Sequence, residues 1–154
     1  MPSFIGTHTY AIDHKGRIAI PSSMRRGDSP KRPLTTFFLN RGFDGCVAVY
    51  SPDSWQRMLE RIRRFSPGDA KARAFRRAFL KDAMEVTVDT QGRVTIPPAL
   101  MALAALGKEA VLHGADSCIE IWNPKRFQEK STTAVEAAGS FEDLADGLFE
   151  EGAG

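Results

Sequence analysis

The sequence has 154 residues, of which 42% are hydrophobic and 26% are charged, and this composition indicates one compact folded unit or two very small ones. The apolar content argues against a disordered chain, and no stretch approaches the roughly 20 apolar residues that span a bilayer. Two cysteines do not make a disulfide framework, which favours a reducing compartment. Because residues 1–6 show no signal-peptide pattern, we expect a cytoplasmic protein without membrane association.

Charge is distributed unevenly along the chain. The net charge is only +2, but residues 1–81 contain 16 Lys or Arg and 6 Asp or Glu, whereas residues 82–154 contain 5 and 13. This asymmetry indicates either a basic face for a polyanion or head-to-tail attraction between subunits. For any single arginine the alternative is a solvated position on an exposed helix face.

An internal repeat organises the chain. Residues 12–21 (IDHKGRIAIP) recur 76 positions later as 88–97 (VDTQGRVTIP), and residues 46–52 (CVAVYSP) recur 72 positions later as 118–124 (CIEIWNP). The first copy therefore holds four extra residues between these blocks. We place them in the proline-rich segment 27–33.

The first copy begins with a predicted β-hairpin. Alternating side chains predict strands over His8–Ile12 and Arg17–Ile20, joined by a four-residue turn. Asp13 suits the first turn position because its carboxylate can accept turn amides, and Gly16 suits the last, where φ is often positive. Pro21 ends the second strand, since it has no N–H to donate.

Two more strands, Thr36–Asn40 and Cys46–Tyr50, precede a helix with Ser51 as its N-cap and Pro52 in its first turn. Its predicted apolar stripe is Trp55, Met58, Leu59 and Ile62. A second helix is predicted to start near Ser66 and to bury Phe75, Ala78 and Phe79.

The second copy repeats this order, with predicted strands over 86–88, 93–96, 110–114 and 118–122 and a short helix over 99–105. Residues 99–106 are almost wholly apolar, which predicts burial in the core or in a subunit interface. Residues 139–154 carry five acidic residues and no basic one. They predict a mobile acidic tail, which either docks on a basic neighbour or has no role; a short amphipathic helix is the alternative.

The predicted organisation therefore has four parts. Repeat 1 covers 7–53, connecting helices cover 54–82, repeat 2 covers 83–126, and a C-terminal helix with the acidic tail covers 127–154.

The duplicated Asp-x-x-Gly-Arg hairpin is the motif most indicative of function. It places Asp13 and Arg17 in the first copy and Asp89 and Arg93 in the second. A guanidinium presents paired donors that match a phosphate, or guanine O6 and N7 in the major groove, and a neighbouring carboxylate can orient it. The alternative is an intramolecular salt bridge that fixes each hairpin, which is compatible with DNA binding. Lys15 adds a candidate phosphate contact in the first copy alone.

The pairs DHKGRIAIP and DTQGRVTIP, with the segments YSPDSW and IWNPKRF, resemble the MraZ family, bacterial transcriptional regulators built from two SpoVT-AbrB-like repeats. The resemblance runs from about Phe4 to Gln128. It implies an α+β fold in which hairpins of the two repeats interleave as a swapped-hairpin, AbrB-like β-barrel, with helices packed outside. The apolar segment 99–106 departs from the family, whose members usually carry charge there.

The resemblance also implies a function. Similar proteins form homo-oligomeric rings, bind double-stranded DNA at repeated G-containing boxes upstream of the division and cell-wall gene cluster, and control its transcription at the nucleoid. The family's DNA-binding motif is Asp-x-x-x-Arg. Here it falls on Asp13 and Arg17, and on Asp89 and Arg93.

Other functions are less well supported. The three histidines lack paired-ligand spacing and Cys-x-x-Cys is absent, so we expect no metal, no cofactor, no small-molecule substrate and no enzyme activity. Cys46 and Cys118 are predicted to be small buried hydrophobes, with a Cys/His nucleophile as the alternative. A second hypothesis is an AbrB-like antitoxin or assembly scaffold that binds other proteins.

Overall fold

The computed structural model describes residues 3–26 and 32–152, and the predicted α+β class is confirmed there. The strands are β1 (Thr7–Ala11), β2 (Arg17–Ala19), β3 (Thr36–Arg41), β4 (Val47–Tyr50), β5 (Met84–Thr87), β6 (Arg93–Thr95), β7 (Glu109–Gly114) and β8 (Ile119–Trp122). The helices are α1 (Pro52–Arg63), α2 (Ala70–Leu80), α3 (Pro98–Leu103), α4 (Pro124–Ala138) and α5 (Phe141–Gly152). The segment after β2 contains one 3₁₀ turn, Ser22–Met24. Most of the segment assigned the extra residues lies outside the described ranges.

The two repeats exchange strands. β1 pairs with β7, β3 pairs with β5, and β2 pairs with β6, so the strands that flank each Asp-x-x-Gly-Arg turn pair with strands of the other repeat. The predicted β-hairpin is corrected accordingly: β1 and β2 are joined by the predicted turn but lie in different sheets, because each finds its partner in the second repeat. The result is a six-stranded antiparallel sheet of order β1-β7-β8-β4-β3-β5 and a two-stranded sheet of β2 and β6. The order is symmetric about the β8–β4 pair, as expected for a duplicated chain. Closure of these strands into a barrel stays a prediction.

One hydrophobic core is shared by both sheets. Ile18 of β2 and Val94 of β6 are buried with Leu39, Leu112 and Ile121 of the larger sheet. Because alternate residues of a strand face opposite sides, the inward positions of all these strands converge on this core. The hairpins that carry the duplicated motif are therefore anchored by apolar side chains directly beside the motif.

Helices α1 and α2 cover the outer face of the sheet. Ser51 is confirmed as the N-cap of α1, because its Oγ accepts a hydrogen bond from the Ser54 N–H at 3.2 Å. Tyr50 of β4, Trp55 of α1 and Phe79 of α2 pack together in a second buried cluster.

The prediction for α2 was wrong in two respects. The helix begins at Ala70, after Asp69, whose carboxylate accepts a hydrogen bond from the Lys71 N–H at 2.9 Å. Phe79 is buried as predicted, but Phe75 and Ala78 are exposed. Helical spacing assigns all three to one side of the helix, but only part of that side meets the sheet.

The apolar segment after β6 contributes to the core. Leu100 and Ala104 are fully buried, and Met101 and Leu106 pack against the same core from partly exposed positions. This placement supports the core interpretation for these four residues.

A second compact unit begins at Pro124. It contains α4 and α5, which pack against each other. Ser140 Oγ accepts a hydrogen bond from the Asp143 N–H at 3.1 Å at the start of α5. The acidic segment is therefore the short helix that was the alternative to a mobile tail.

Loss of a core side chain should strongly destabilise the part of the chain before Pro124, which contains both sheets. Leu112→Ala removes a fully buried side chain from the shared core, and we expect the free energy of unfolding to fall by about 2–5 kcal/mol. Chemical denaturation followed by circular dichroism measures this. Gln56→Ala, at an exposed position of α1, is the matched control and should change it by less than about 0.5 kcal/mol. Equal effects of the two changes would contradict this account of the core.

Candidate functional site

The first Asp-x-x-Gly-Arg hairpin is held by one carboxylate. Asp13 Oδ1 accepts hydrogen bonds from the backbone N–H groups of Lys15 and Arg17, both at 2.9 Å. Asp13 Oδ2 accepts from Arg17 Nε at 2.6 Å. Gly16 closes the turn at φ 77°, a conformation that glycine adopts without strain. One oxygen therefore fixes the turn, and the other fixes the arginine.

The second hairpin repeats this arrangement. Asp89 Oδ1 accepts from the N–H groups of Gln91 and Arg93 at 2.9 Å, and Asp89 Oδ2 accepts from Arg93 Nε at 2.9 Å. Gly92 has a φ of 78°. The predicted turn chemistry is confirmed in both copies.

The structure brings the two hairpins together. Strands β2 and β6 pair antiparallel, with Arg17 opposite Thr95 and Arg93 opposite Ala19. Arg93 Nη1 consequently lies 3.6 Å from Asp13 Oδ2, so the second copy's arginine contacts both carboxylates. The salt-bridge alternative is therefore present in both copies, and it also links them.

Both arginines remain accessible while paired. The side chains of Arg17 and Arg93 are 28% and 25% exposed. The Nη atoms of Arg17 make no hydrogen bond with the other described residues, so its outer edge is available to a ligand. Lys15 is exposed beside it, and its side chain makes no hydrogen bond or ion pair with the described residues.

The carboxylates are stabilised in their charged form. The pKa of Asp13 is lowered to about 2, chiefly by the hydrogen bond from the Arg17 backbone N–H, and partial burial opposes this effect. The pKa of Asp89 is lowered by the equivalent bond from the Arg93 N–H. Both aspartates are therefore ionised at neutral pH and hold their arginines in fixed orientations.

Sequence reasoning missed Arg25. Its Nε donates to the Ile20 carbonyl at 2.8 Å, and its guanidinium lies against Gly92, where a Cβ would stand 3.0 Å from an Nη atom. Arg25 thus adds a positive charge beside the second turn. It lies outside the repeated motif, so spacing gave no signal for it.

The chain is similar to known proteins over most of its length. A family model described as "MraZ protein, putative antitoxin-like" matches residues 3–78 and 79–149, one hairpin in each match. A protein of Thermomicrobium roseum named transcriptional regulator MraZ is 43% identical over 80% of this chain and 84% of its own length. Proteins of the same name from Heliobacterium modesticaldum and Pediococcus pentosaceus are 36% and 37% identical over at least 96% of each chain.

The chain belongs to the MraZ family. Each of the two MraZ matches contains one complete Asp-x-x-Gly-Arg hairpin, so the repeat found in the sequence is the family's repeat. Asp13, Arg17, Asp89 and Arg93 lie together in the structure, with Lys15 at their edge. Their part in DNA binding stays a prediction.

The cysteines of this MraZ chain lie apart from the hairpins. Burial raises the pKa of the Cys46 thiol, and it raises the pKa of Cys118 to about 12. Cys46 is buried as predicted, whereas Cys118 is only half-buried. Thiols held protonated are poor nucleophiles, which favours the small-hydrophobe interpretation over a nucleophile. Across residues 3–26 and 32–152, no cluster of His, Cys, Asp and Glu suits a metal ion, and no helix is long and apolar enough to cross a bilayer.

Stability should depend on the ionisation of Asp13 in acid. Its pKa is lower in the folded chain than the ordinary value of 3.8, so its contribution is complete above about pH 4 and is lost as the pH falls towards 2. Asp13→Asn removes this titration. Thermal melts at intervals from pH 6 to pH 2 should therefore show a smaller acid-induced loss of Tm in Asp13→Asn than in the unmodified chain.

The comparison has a direct control. Asp53→Asn alters an exposed acidic residue of α1 outside the hairpins. It should leave the acid dependence of Tm unchanged. If Tm fell equally with pH in the unmodified chain and in Asp13→Asn, the proposed stabilising role of the ionised Asp13 carboxylate would be contradicted.

Proposed function

We propose that this chain is a sequence-specific DNA-binding regulator of transcription. The observation that carries the proposal is the convergence of two carboxylate-held arginines, one from each repeat, at one accessible surface. The names of its relatives as transcriptional regulators support the same function. Asp13, Lys15, Arg17, Asp89 and Arg93 form the proposed DNA-binding site.

The geometry suits recognition of guanine. The Nε of each arginine donates to an aspartate, which fixes the guanidinium. Both Nη atoms of Arg17 are then available for a bidentate contact, whereas Arg93 would first have to give up the contact of its Nη1 with Asp13. A bidentate contact to guanine O6 and N7 discriminates against other bases by about 1–3 kcal/mol. One chain would therefore read only a short element, which fits binding to repeated G-containing boxes upstream of the division and cell-wall gene cluster.

A DNA target with several boxes is bound more tightly by several linked copies of a protein than by one copy. We propose that the chain forms a homo-oligomeric ring, because several linked weak contacts give higher affinity than one contact. Such a regulator would be associated with the nucleoid. The uneven charge of the two halves of the chain supports attraction between subunits.

We also propose that the strands form the swapped-hairpin barrel. The exchanged pairs β1–β7, β3–β5 and β2–β6 support it, as does the single core that both sheets share. The Ile12 N–H donates to the Lys108 carbonyl at 2.8 Å, which extends the β1–β7 pairing towards the first turn.

A protein-binding antitoxin is the second candidate, and the family description as antitoxin-like favours it. In that case a pull-down with this chain as bait would recover a stoichiometric protein partner. Removing the two hairpin arginines would then leave DNA retention unaltered.

Removal of either hairpin arginine should weaken specific DNA binding. Arg17→Ala and Arg93→Ala each delete one proposed guanine contact, so affinity for a duplex with repeated G-containing boxes should fall roughly 5- to 150-fold. Fluorescence anisotropy with the repeat duplex and a scrambled duplex measures both affinity and specificity. Arg64→Ala, which removes an exposed arginine outside the hairpins, should bind like the unmodified chain.

Folding must be measured alongside binding. Thermal melts should show that both hairpin variants remain cooperatively folded. Unchanged affinity in a folded Arg17→Ala/Arg93→Ala double variant would refute the proposed site. Unfolding of each variant would instead assign the arginines to structure.

The two repeats should contribute unequally to the salt dependence. Lys15 is exposed beside Arg17, whereas its counterpart Gln91 is neutral. Lys15→Gln should reduce the slope of log affinity against log salt by about one, and Gln91→Lys should increase it by about one. Anisotropy titrations between about 50 and 200 mM salt test this. Equal slopes in all three chains would argue against a phosphate contact at this position.

A further inference from the structure

An apolar groove lies beside α2, away from the duplicated hairpins. It encloses about 470 Å³, and its apolar lining is Phe43, Phe75, Ala78, Phe79 and Leu103. The Phe43 and Phe79 rings stack with centroids 6.5 Å apart, and the Phe75 and Phe79 rings stack with centroids 5.5 Å apart. Phe43 is nevertheless 58% exposed and Phe75 is 37% exposed. The groove is therefore a preformed aromatic surface that remains accessible.

The surroundings of the groove are basic. Residues 52–81, which include α1 and α2, carry nine Lys or Arg and three Asp or Glu. Arg41 and Asp44 both line the groove itself, and Arg77 is exposed on α2 next to Ala78, so basic charge exceeds acidic charge there. An apolar ligand with an acidic border would match both features.

Helix α5 has that chemistry. Phe141, Leu144, Ala145, Leu148 and Phe149 form one contiguous apolar surface with i, i+3, i+4, i+7 spacing. Phe141, Leu148 and Phe149 are 69%, 59% and 78% exposed. The remaining positions include five acidic residues and no basic one: Glu142, Asp143, Asp146, Glu150 and Glu151. Large exposed apolar patches of this kind mark interaction sites.

We propose that α5 of a second copy of this chain binds in the aromatic groove beside α2. An amphipathic helix lays its apolar face into a groove, while its acidic residues meet basic side chains at the groove, such as Arg41 and Arg77. One polypeptide carries both halves of the contact, so they are always present in equal numbers. The contact is heterologous, which builds a ring if the rotation between copies closes.

This inference rests on the oligomeric part of the proposed function and specifies the contact that builds the oligomer. It is tested with one variant on each side. Phe43→Glu places a negative charge in the groove, and Leu148→Ser/Phe149→Ser removes most of the exposed apolar surface from α5. All three positions are exposed, so both variants should fold. Sedimentation velocity over a concentration series should show that the dissociation constant rises roughly 30-fold or more in each.

Mixing the two variants distinguishes this contact from others. The Phe43→Glu chain keeps an intact α5, and the Leu148→Ser/Phe149→Ser chain keeps an intact groove. Together they can form one productive contact, so an equimolar mixture should yield a one-to-one heterodimer, whereas each variant alone stays monomeric. Ile5→Glu, at a 78% exposed apolar position outside the groove, and the conservative Phe149→Leu should both assemble like the unmodified chain.

Each other outcome overturns the inference. If both variants keep the mass of the unmodified oligomer, the groove contact is wrong, but the proposal of a ring is not contradicted. If both are monomeric and the mixture gives no heterodimer, α5 does not bind this groove in a second copy. If the unmodified chain is itself monomeric at all concentrations, the ring fails as well, while the effect of Arg17→Ala on DNA binding is judged separately.

Discussion

The two oxygens of one aspartate carboxylate bind different partners, and this determines the geometry of each hairpin. One oxygen accepts two turn amides, and the other accepts the arginine Nε. The turn and the guanidinium are thus fixed by the same group. An arginine oriented before a ligand arrives loses less side-chain entropy on binding than a freely rotating one. The carboxylate also offsets part of the positive charge, so the unpaired Lys15 acquires a larger share of any long-range attraction to a polyanion.

Duplication creates the site as well as the fold. Arg93 contacts Asp89 in its own hairpin and Asp13 in the other, and this second contact exists only because β2 pairs with β6. The exchanged strands hold the hairpins in a common frame, with Ile18 and Val94 buried immediately below. Neither repeat can assemble this arrangement alone, since the hairpin strands of each find their partners in the other.

Local chemistry explains which features could be predicted from the sequence. The positions of Asp13 and Gly16 in a tight turn follow from the hydrogen-bonding capacity of aspartate and the positive φ of glycine, and both are confirmed. The contact between Arg93 and Asp13 joins residues 80 positions apart and depends on strand pairing, which periodicity does not specify. The same limit applies to Phe75, which has core spacing but extends beyond the sheet.

The two copies have the same hairpin geometry but different surroundings. Lys15 corresponds to Gln91, and Arg25, which lies against the second turn, corresponds to Met101, which packs on the core. Arg17 has an outer edge without a hydrogen bond among the described residues, while Arg93 turns one Nη towards a second carboxylate. The first copy therefore presents the more accessible guanidinium, and the second couples the hairpins. The two copies therefore offer different groups to any ligand that contacts both hairpins.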